Sequence, residues 1–320
     1  MNETILINRY LKKLTRYNPH ALHLDDDIFF HKSKRLAISV DTYNEGTHFV
    51  DFKRPDLVIR KIIRSSISDI YAKGAEPKYF FLSGSGNKKK FNSRSMKLIS
   101  SSIAKEQKKF NIKLSGGDTT SSKLLTFTVI TIGFADKIIY RNKCKVGDDI
   151  YVTGNIGDSF VGLQILKKKI KVKNMHNKIY FVDKYYSPNL PIKISKLLSK
   201  FANSSMDISD GLIIDLNRLM NKQNLGYTVN FNKIPLSKNL NNFIKSKKLL
   251  LKDYLLNGDD YQILFTASKS KRLYIEKLSS KMNQKISRIG QINKKLKLYS
   301  LNNKEYRIKD LKYQGYLHKF

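Results

Sequence analysis

Two aspartates and a serine crowd a short segment that precedes an apolar run. In residues 204–215, Asp207, Ser209 and Asp210 fall within four positions, directly before Gly211. Leucine and isoleucine recur at helical spacing after the glycine, which predicts that a helix begins there. Carboxylate and hydroxyl oxygens accept the free amide hydrogens of a first helical turn, and they also bind hard cations such as Mg²⁺. The segment is therefore either a helix cap or half of a metal and phosphate site, because helix N-termini also attract anions.

Two further acidic positions flank a predicted strand near the N-terminus. Asp27 is the last of three consecutive aspartates that lead into an apolar run. Like charges this close repel one another, so a bound cation is one explanation and a surface turn is the other. Asp41 ends a predicted buried strand over residues 36–41, at the edge where open α/β sheets bind ligands. His48 follows after a turn, and is either a packed histidine or a ligand contact.

The next two acidic positions lie at the ends of predicted elements. Asp69 falls in the last turn of a helix predicted over residues 56–73, the unfavourable end of the helix dipole for an acid. A metal ion or simple surface exposure would explain that placement. Asp118 lies in Gly-Gly-Asp-Thr-Thr, residues 116–120, where glycines let the backbone approach a ligand and the acid can take a metal. A purely structural role is the alternative. The chain contains no P-loop sequence, and Gly84-Ser85-Gly86 is interpreted as a glycine-rich turn.

Strands and helices alternate in both halves of the chain. Strands are predicted at residues 79–83, 112–115, 124–133 and 149–153 and in residues 257–265, and helices at residues 3–16 and 93–110, within residues 154–166, and after Pro191. This alternation predicts two α+β or α/β domains, each with a sheet and packed helices. We place an N-terminal domain at residues 1–138 and a C-terminal α/β domain at residues 139–320.

Composition narrows the class of protein. The chain has 320 residues, of which 41% are hydrophobic, so it can bury a sizeable core. Its single cysteine, Cys144, permits no internal disulfide and no cysteine-based zinc site, which favours a reducing, cytoplasmic compartment. The first 20 residues lack the apolar core of a signal peptide, and no apolar run approaches ~18 residues, so we expect no membrane span.

The formal net charge of +35 invites a nucleic-acid interpretation. The basic residues are spread over the whole chain, however, without an aromatic stacking pattern or a recognisable reader motif. We interpret them as solvated lysine faces and do not expect a nucleic-acid partner. A positive field would still help to collect phosphorylated small molecules.

The order of these motifs resembles that of the thiamine-monophosphate kinase family, part of the aminoimidazole ribotide synthetase-like superfamily. The resemblance is carried by Asp26-Asp27, Ser39-Val40-Asp41, residues 45–49, Ser68-Asp69, residues 74–77, residues 116–120, Arg141, Gly147-Asp148, residues 151–154, residues 207–212 and residues 258–261. It implies a two-domain fold with a mixed sheet and packed helices in each domain. The N-terminal domain would bind ATP and Mg²⁺ and form a homodimer with its counterpart, and the C-terminal domain would complete the active-site cleft. It also implies ATP-dependent phosphorylation of thiamine monophosphate to thiamine diphosphate, by direct transfer assisted by several Mg²⁺ ions.

The resemblance also implies roles for individual residues. Metal ligands would be Asp27, Ser39, Asp41, Asp69, Asp118, Asp207 and Asp210, among which Asp41, Asp118 and Asp210 would be catalytic. ATP contacts would come from Gly117, Asp118, Arg141 and Ser209, and thiamine monophosphate contacts from His48, Asp259 and Tyr316. The chain departs from the family pattern at Asp25, Val40 and Asp259, where the family usually has glycine, threonine and glutamate.

Two other functions fit the same sequence. One is a related enzyme of this superfamily that phosphorylates or activates a different phosphate-bearing acceptor with ATP. The other is a basic nucleic-acid-binding protein on this fold, which would bind with strong salt dependence instead of turning over ATP.

Overall fold

One mixed sheet is built from the N-terminal part of the chain. The computed structural model describes residues 3–247, 256–311 and 315–318. The strands of this sheet are β1 (Phe29–His31), β2 (Leu36–Asn44), β3 (Glu76–Gly86), β4 (Lys113–Gly116), β5 (Thr119–Ser121) and β6 (Thr126–Phe134). Their order is β1-β2-β6-β3-β4, with β5 also paired to β3. Strands β4 and β5 run parallel to β3, whereas β2 and β3 are antiparallel to β6.

A second mixed sheet occupies the C-terminal part. Its strands are β7 (Asp149–Thr153), β8 (Ala202–Asp207), β9 (Gly226–Asn230), β10 (Ile263–Ala267), β11 (Ile286–Asn293), β12 (Lys297–Leu301) and β13 (Lys304–Arg307). Their order is β13-β12-β9-β11-β7-β10-β8, so β8 lies at one edge. The two sheets confirm the predicted fold of two mixed sheets with packed helices.

Helices cover both sheets. In the described residues they are α1 (Glu3–Leu6), α2 (Pro55–Ala72), α3 (Ser93–Phe110), α4 (Asp158–Leu166), α5 (Met175–Tyr186), α6 (Ile192–Ser195), α7 (Leu212–Leu219), α8 (Lys238–Lys247) and α9 (Arg272–Met282). A π-helical turn (Ile7–Leu11) and a 3-10 turn (Lys12–Thr15) continue α1, so the N-terminal helix predicted over residues 3–16 is irregular. None of the helices in the described parts of the chain has the length and apolarity to cross a membrane.

Helix α2 is the central element of the molecule. It starts with Pro55, whose ring suits a first helical turn, and Gly74 follows its end with φ +76°, a conformation that favours glycine. One side of the helix packs on β2 and β6, and the other contacts β8, α5 and α6. Because it is sandwiched between the two sheets, even its polar side chains are largely buried. The helix predicted over residues 56–73 is therefore confirmed.

Several element bounds were predicted incorrectly. Strand β2 continues through Asn44, so Asp41 lies in the middle of a strand and not at its carboxyl end. Strand β3 is longer than the predicted residues 79–83, and the helix after Pro191 is one turn. Residues 135–148 form an irregular connector between the sheets. The domain boundary at residues 138 and 139 stays a prediction.

Candidate active site

Three carboxylates from both halves of the molecule, one buried and two half-buried, meet at one cavity. Asp41 projects from the inner face of β2, Asp69 from the last turn of α2, and Asp207 from the end of β8. All three line a cavity of about 670 Å³. The inner face of β2 also carries Ser39, but its hydroxyl donates to the Ser66 carbonyl at 3.2 Å and so joins β2 to α2.

Burial raises the pKa of each of these acids, and the charge of a neighbouring carboxylate adds to the rise. Burial, together with the nearby charge of Asp207, raises the pKa of Asp41 to about 7. Burial first, and then the charges of Asp41 and Asp207, hold the pKa of Asp69 well above its usual value. Burial also raises the pKa of Asp207, although the Ser68 hydroxyl donates to its carboxylate. A bound cation would relieve this repulsion.

Asp41 supplies a specific reason to expect a cation. Its Oδ2 atom is buried and has no hydrogen-bond partner in the structure. Buried polar atoms are normally paired, so an unpaired one indicates a missing ion, water or ligand. Oxygen donors of this kind suit Mg²⁺. Among the described residues, however, no three His, Cys, Asp or Glu side chains are already arranged around a point that would hold a metal ion.

The residue that caps the segment before α7 is Asp215. Its Oδ2 accepts the backbone N–H groups of Ser209, Asp210 and Gly211 at 3.0–3.1 Å. The helix itself has no capping side chain at Gly211. The capping interpretation of Asp207, Ser209 and Asp210 is therefore wrong, since Asp215 reaches back from the first turn and leaves their side chains to face the cavity.

Arg218 holds Asp210 in place. The guanidinium group of Arg218 pairs with Asp210 through Nη1 and contacts Asp215 at 3.2 Å. Asp210 also lines the cavity. A metal ligand at this position would have to share its carboxylate with Arg218.

The wall of the cavity is formed by the segment before β10. The backbone N–H of Asp259 donates to the Ser209 carbonyl at 2.8 Å, and a side chain at Gly258 would collide with the same carbonyl. Asp259 and Tyr261 both adopt positive φ, at +69° and +50°. Left-handed backbone is uncommon for residues other than glycine and clusters at functional sites. The close packing of Gly258 and Asp259 against Ser209 fixes Asp259 in the lining of the cavity.

Asp259 is paired with a buried lysine. Lys61 of α2 is 2% exposed and forms an ion pair with the Asp259 carboxylate, which also accepts the Tyr261 hydroxyl at 3.1 Å. The Lys61 ammonium lies 4.1 Å from the ring centroid of Tyr185. The Asp259 carboxylate is therefore held by an ammonium group and a phenol hydroxyl. Lys61 was missed in the sequence.

His48 and Tyr316 border the open side of the same cavity. His48 Nδ1 accepts the Asn44 backbone N–H at 3.0 Å, and burial lowers the pKa of the ring, with a further contribution from nearby His318. The Tyr316 backbone N–H donates to the Asp210 carbonyl at 3.0 Å, and its ring is 42% exposed. The structure therefore brings the predicted acceptor contacts Asp259, His48 and Tyr316 together.

Asp26, Asp27, Asp41, Asp69 and Asp207 are together called the acid cluster. At the end of this cluster that lies outside the cavity lining, Asp27 and Arg141 bind each other. Arg141 pairs with Asp27 through two guanidinium nitrogens, and its backbone N–H donates to Asp26 at 3.0 Å. Lys73 also binds both aspartates. Neither Asp27 nor Arg141 appears in the cavity lining.

The structure does not bring Gly117 and Asp118 to the cavity. Both residues are exposed, and their loop lies along β3 next to β5. Strands β3 and β6 separate this loop from β2, so it lies three strand spacings, roughly 14 Å, from Asp41. Their roles in binding ATP and metal stay predictions.

Comparisons with known proteins agree with this architecture. Residues 24–135 match the N-terminal domain of AIR synthase related protein, and residues 145–300 match its C-terminal domain. The thiamine-monophosphate kinase of Buchnera aphidicola subsp. Acyrthosiphon pisum is 38% identical over 82% of this chain and 82% of its own length. That of Haemophilus influenzae is 31% identical over 92% of this chain and 90% of its own.

The chain belongs to the thiamine-monophosphate kinase family. Its structure also matches AaThiL complexed with AMPPCP and TMP, with a TM-score of 0.85 and 25% identity over 99% of this chain and 97% of that one. The family and the fold inferred from sequence motifs are both confirmed. In this member of the thiamine-monophosphate kinase family, three cationic side chains outside the motifs named above form ion pairs with acids of the site. Lys61 pairs with Asp259, Lys73 with Asp26 and Asp27, and Arg218 with Asp210.

Proposed function

We propose that the chain transfers the γ-phosphoryl group of ATP to the phosphate of thiamine monophosphate, giving ADP and thiamine diphosphate. An acceptor phosphate oxygen would attack the γ-phosphorus as the bond to the β-phosphate bridge oxygen breaks. The observation that carries the proposal is that Asp41, Asp69 and Asp207 line one cavity, and that the Asp41 carboxylate has a buried oxygen without a hydrogen-bond partner. The match to a complex that holds an ATP analogue and TMP supports the same chemistry.

Each side of the cavity suits one part of this reaction. When bound, Mg²⁺ would neutralise phosphate charge and align the attacking and leaving oxygens. Asp41, Asp69 and Asp207 would hold such ions, and Asp210, which lines the same cavity, would share in this role. Asp259 and Tyr316 would contact the cationic, aromatic acceptor, since carboxylates and aromatic faces both favour cations. The packed loops around Gly258 would keep these groups at fixed positions.

The test is product formation from the purified protein with ATP and Mg²⁺. We expect thiamine diphosphate from thiamine monophosphate and no phosphorylated product from free thiamine. An Asp207→Asn variant, folded by circular dichroism, is the matched control and should form no product. Product from free thiamine alone, or equal product from the variant, would contradict the proposal.

We also propose that the protein is a homodimer formed through the outer face of the N-terminal sheet. Val40, Tyr79, Ile130 and Phe134 lie on this face and are 36–62% exposed. Val40 and Ile130 are direct cross-strand partners, so the face is continuous. Exposed apolar faces of this kind mark interaction sites.

Substitution at the centre of this face tests the dimer. Ile130→Glu is expected to shift the protein to a monomer in sedimentation velocity, because it places a charge in an apolar interface. Leu273→Glu, at an exposed leucine on α9, is the control and should leave association unchanged. Unchanged association of Ile130→Glu would exclude this face. The cytoplasmic location and the lack of a nucleic-acid partner stay predictions.

A further inference from the structure

Lys73 is a fully buried lysine at the C-terminal end of α2. Its exposure is 0%, although lysine is almost never fully buried unless it is paired. Its Nζ lies 2.7 Å from Asp26 Oδ1, 2.8 Å from Asp27 Oδ2 and 2.7 Å from the Ser205 carbonyl oxygen. An ammonium group has three protons to donate, so each proton has an acceptor. Lys73 therefore occupies a position with oxygen ligands on three sides, as a bound cation would.

Every oxygen of the two aspartates is paired as a result. Asp26 Oδ1 accepts from Lys73 and from the Asp27 backbone N–H at 2.9 Å, while Asp26 Oδ2 accepts the Arg141 backbone N–H. Asp27 Oδ2 accepts from Lys73 and from Arg141 Nε at 3.0 Å, and its Oδ1 pairs with Arg141 Nη2. Two cationic side chains thus balance two carboxylates. The Asp41 carboxylate differs, because its Oδ2 is buried without any partner.

We propose that the Lys73 ammonium is a permanent cation of the acid cluster, which neutralises Asp26 and Asp27 so that divalent ions within this chain are held by Asp41, Asp69 and Asp207. Lys73 is then a positioning residue that replaces a bound ion, and Asp27 anchors Lys73 and Arg141 instead of binding Mg²⁺. Lys73 also donates to the Ser205 carbonyl of β8, so the same ammonium group joins the C-terminal end of α2 to the edge strand of the second sheet. This inference rests on the proposed Mg²⁺ site, but its test needs neither ATP nor thiamine monophosphate.

The test is the thermal midpoint of unfolding, Tm, in EDTA and in saturating Mg²⁺. Lys73→Met keeps the length of the side chain but leaves Asp26 and Asp27 with one cation between them. We expect a fall in Tm in EDTA that Mg²⁺ largely reverses, because an ion that binds only the folded state stabilises it. The shift in Tm on adding Mg²⁺ should be at least about twice that of the wild type.

Two further variants separate charge from packing. Lys73→Met combined with Asp26→Asn removes one negative charge as well, and should recover most of the lost Tm in EDTA without Mg²⁺. Lys61→Met removes another buried lysine of the same helix, which pairs with the single carboxylate of Asp259. One carboxylate is a poor chelator, so this variant should lose the same Tm in EDTA as in Mg²⁺.

The outcomes decide the proposal in either direction. Recovery of Lys73→Met by Mg²⁺, together with recovery by Asp26→Asn, supports a replaced cation. An equal loss of Tm in both conditions, a double variant that does not fold, or the same Mg²⁺ response in Lys61→Met would overturn it. If Lys73→Met does not fold in EDTA, the double variant decides alone. A failure of the phosphorylation assay would leave these results unaffected.

Discussion

The two ends of the acid cluster are built from the same residue type and differ in how their charge is balanced. At one end, Asp26 and Asp27 have all of their oxygens paired with Lys73, Arg141 and backbone N–H groups. At the other end, the nearby charges of Asp41 and Asp207 raise the pKa of Asp69, that of Asp207 also raises the pKa of Asp41, and Asp41 Oδ2 has no partner. The first arrangement stabilises the fold, whereas the second stores an electrostatic cost that a ligand would relieve.

This difference separates structural acids from functional acids. A carboxylate whose oxygens are all paired gains little from a metal ion, because binding would first break existing bonds. A buried carboxylate with an unpaired oxygen gains the full interaction. Activity should therefore depend on the unpaired end far more than on the paired end.

Asp41→Asn should produce the largest effect on activity. The amide keeps the shape of the side chain but removes the charge that would hold a cation, so we expect kcat to fall by roughly 100-fold or more. In EDTA the same variant should be as stable as the wild type or more stable, since a buried and unpaired charge is lost. Steady-state kinetics and thermal unfolding measure the two effects. A stable variant with wild-type kcat would contradict the assignment.

Asp259→Asn should affect one substrate and spare the other. The variant removes the charge of a carboxylate that lines the cavity while its Oδ1 pairs with Lys61, so we expect KM for thiamine monophosphate to rise about 10-fold or more, the cost of a charged hydrogen bond. KM for ATP should change by less than about 2-fold, because the substitution removes a contact to the acceptor and leaves the contacts to ATP intact. Initial rates with each substrate varied in turn check this. Equal changes in both constants would remove the acceptor role.

His48→Asn should reduce the pH dependence of stability. Burial, and the charges of His318 and Lys61, hold the pKa of His48 below 6.5, with Asp259 opposing them. As pH falls below 6.5, the unfolded chain gains a proton that the folded ring does not, so the wild type loses stability. The variant should lose less, by under about 1 kcal/mol, in urea unfolding at pH 5.5 and 7.5. An unchanged difference between the two pH values would exclude this effect.

The fold could be predicted from sequence because its signals are local. Isoleucines at helical spacing, a proline at the start and a glycine at the end place α2 correctly. The extension of β2 past Asp41 was missed because Thr42, Tyr43 and Asn44 gain their strand conformation from pairing with β6, which lies far away in sequence. Long-range pairing of this kind leaves no periodic signal in a single strand.

The candidate site was predicted only in part, for a different reason. Aspartates next to glycines and hydroxyls stood out in a chain with few acids, but buried lysines could not stand out among 61 basic residues. Lys61 and Lys73 resemble the solvated lysines around them until α2 is placed between two sheets. Asp215 was missed because a cap was sought before the helix, and the side chain that caps it reaches back from inside. The positions of Gly117 and Asp118 depend on strand order, which sequence pattern does not give.

The most direct test of the two-ended account is Mg²⁺ binding by isothermal titration calorimetry to Asp41→Asn and Asp27→Asn, with the wild type alongside. We expect Asp41→Asn to bind Mg²⁺ at least about 10-fold more weakly than the wild type, which corresponds to the loss of one charged contact. Asp27→Asn should leave Mg²⁺ affinity within about 2-fold of the wild type, because Asp27 is already occupied by Lys73 and Arg141. Loss of Mg²⁺ binding in Asp27→Asn with retention in Asp41→Asn would contradict the account.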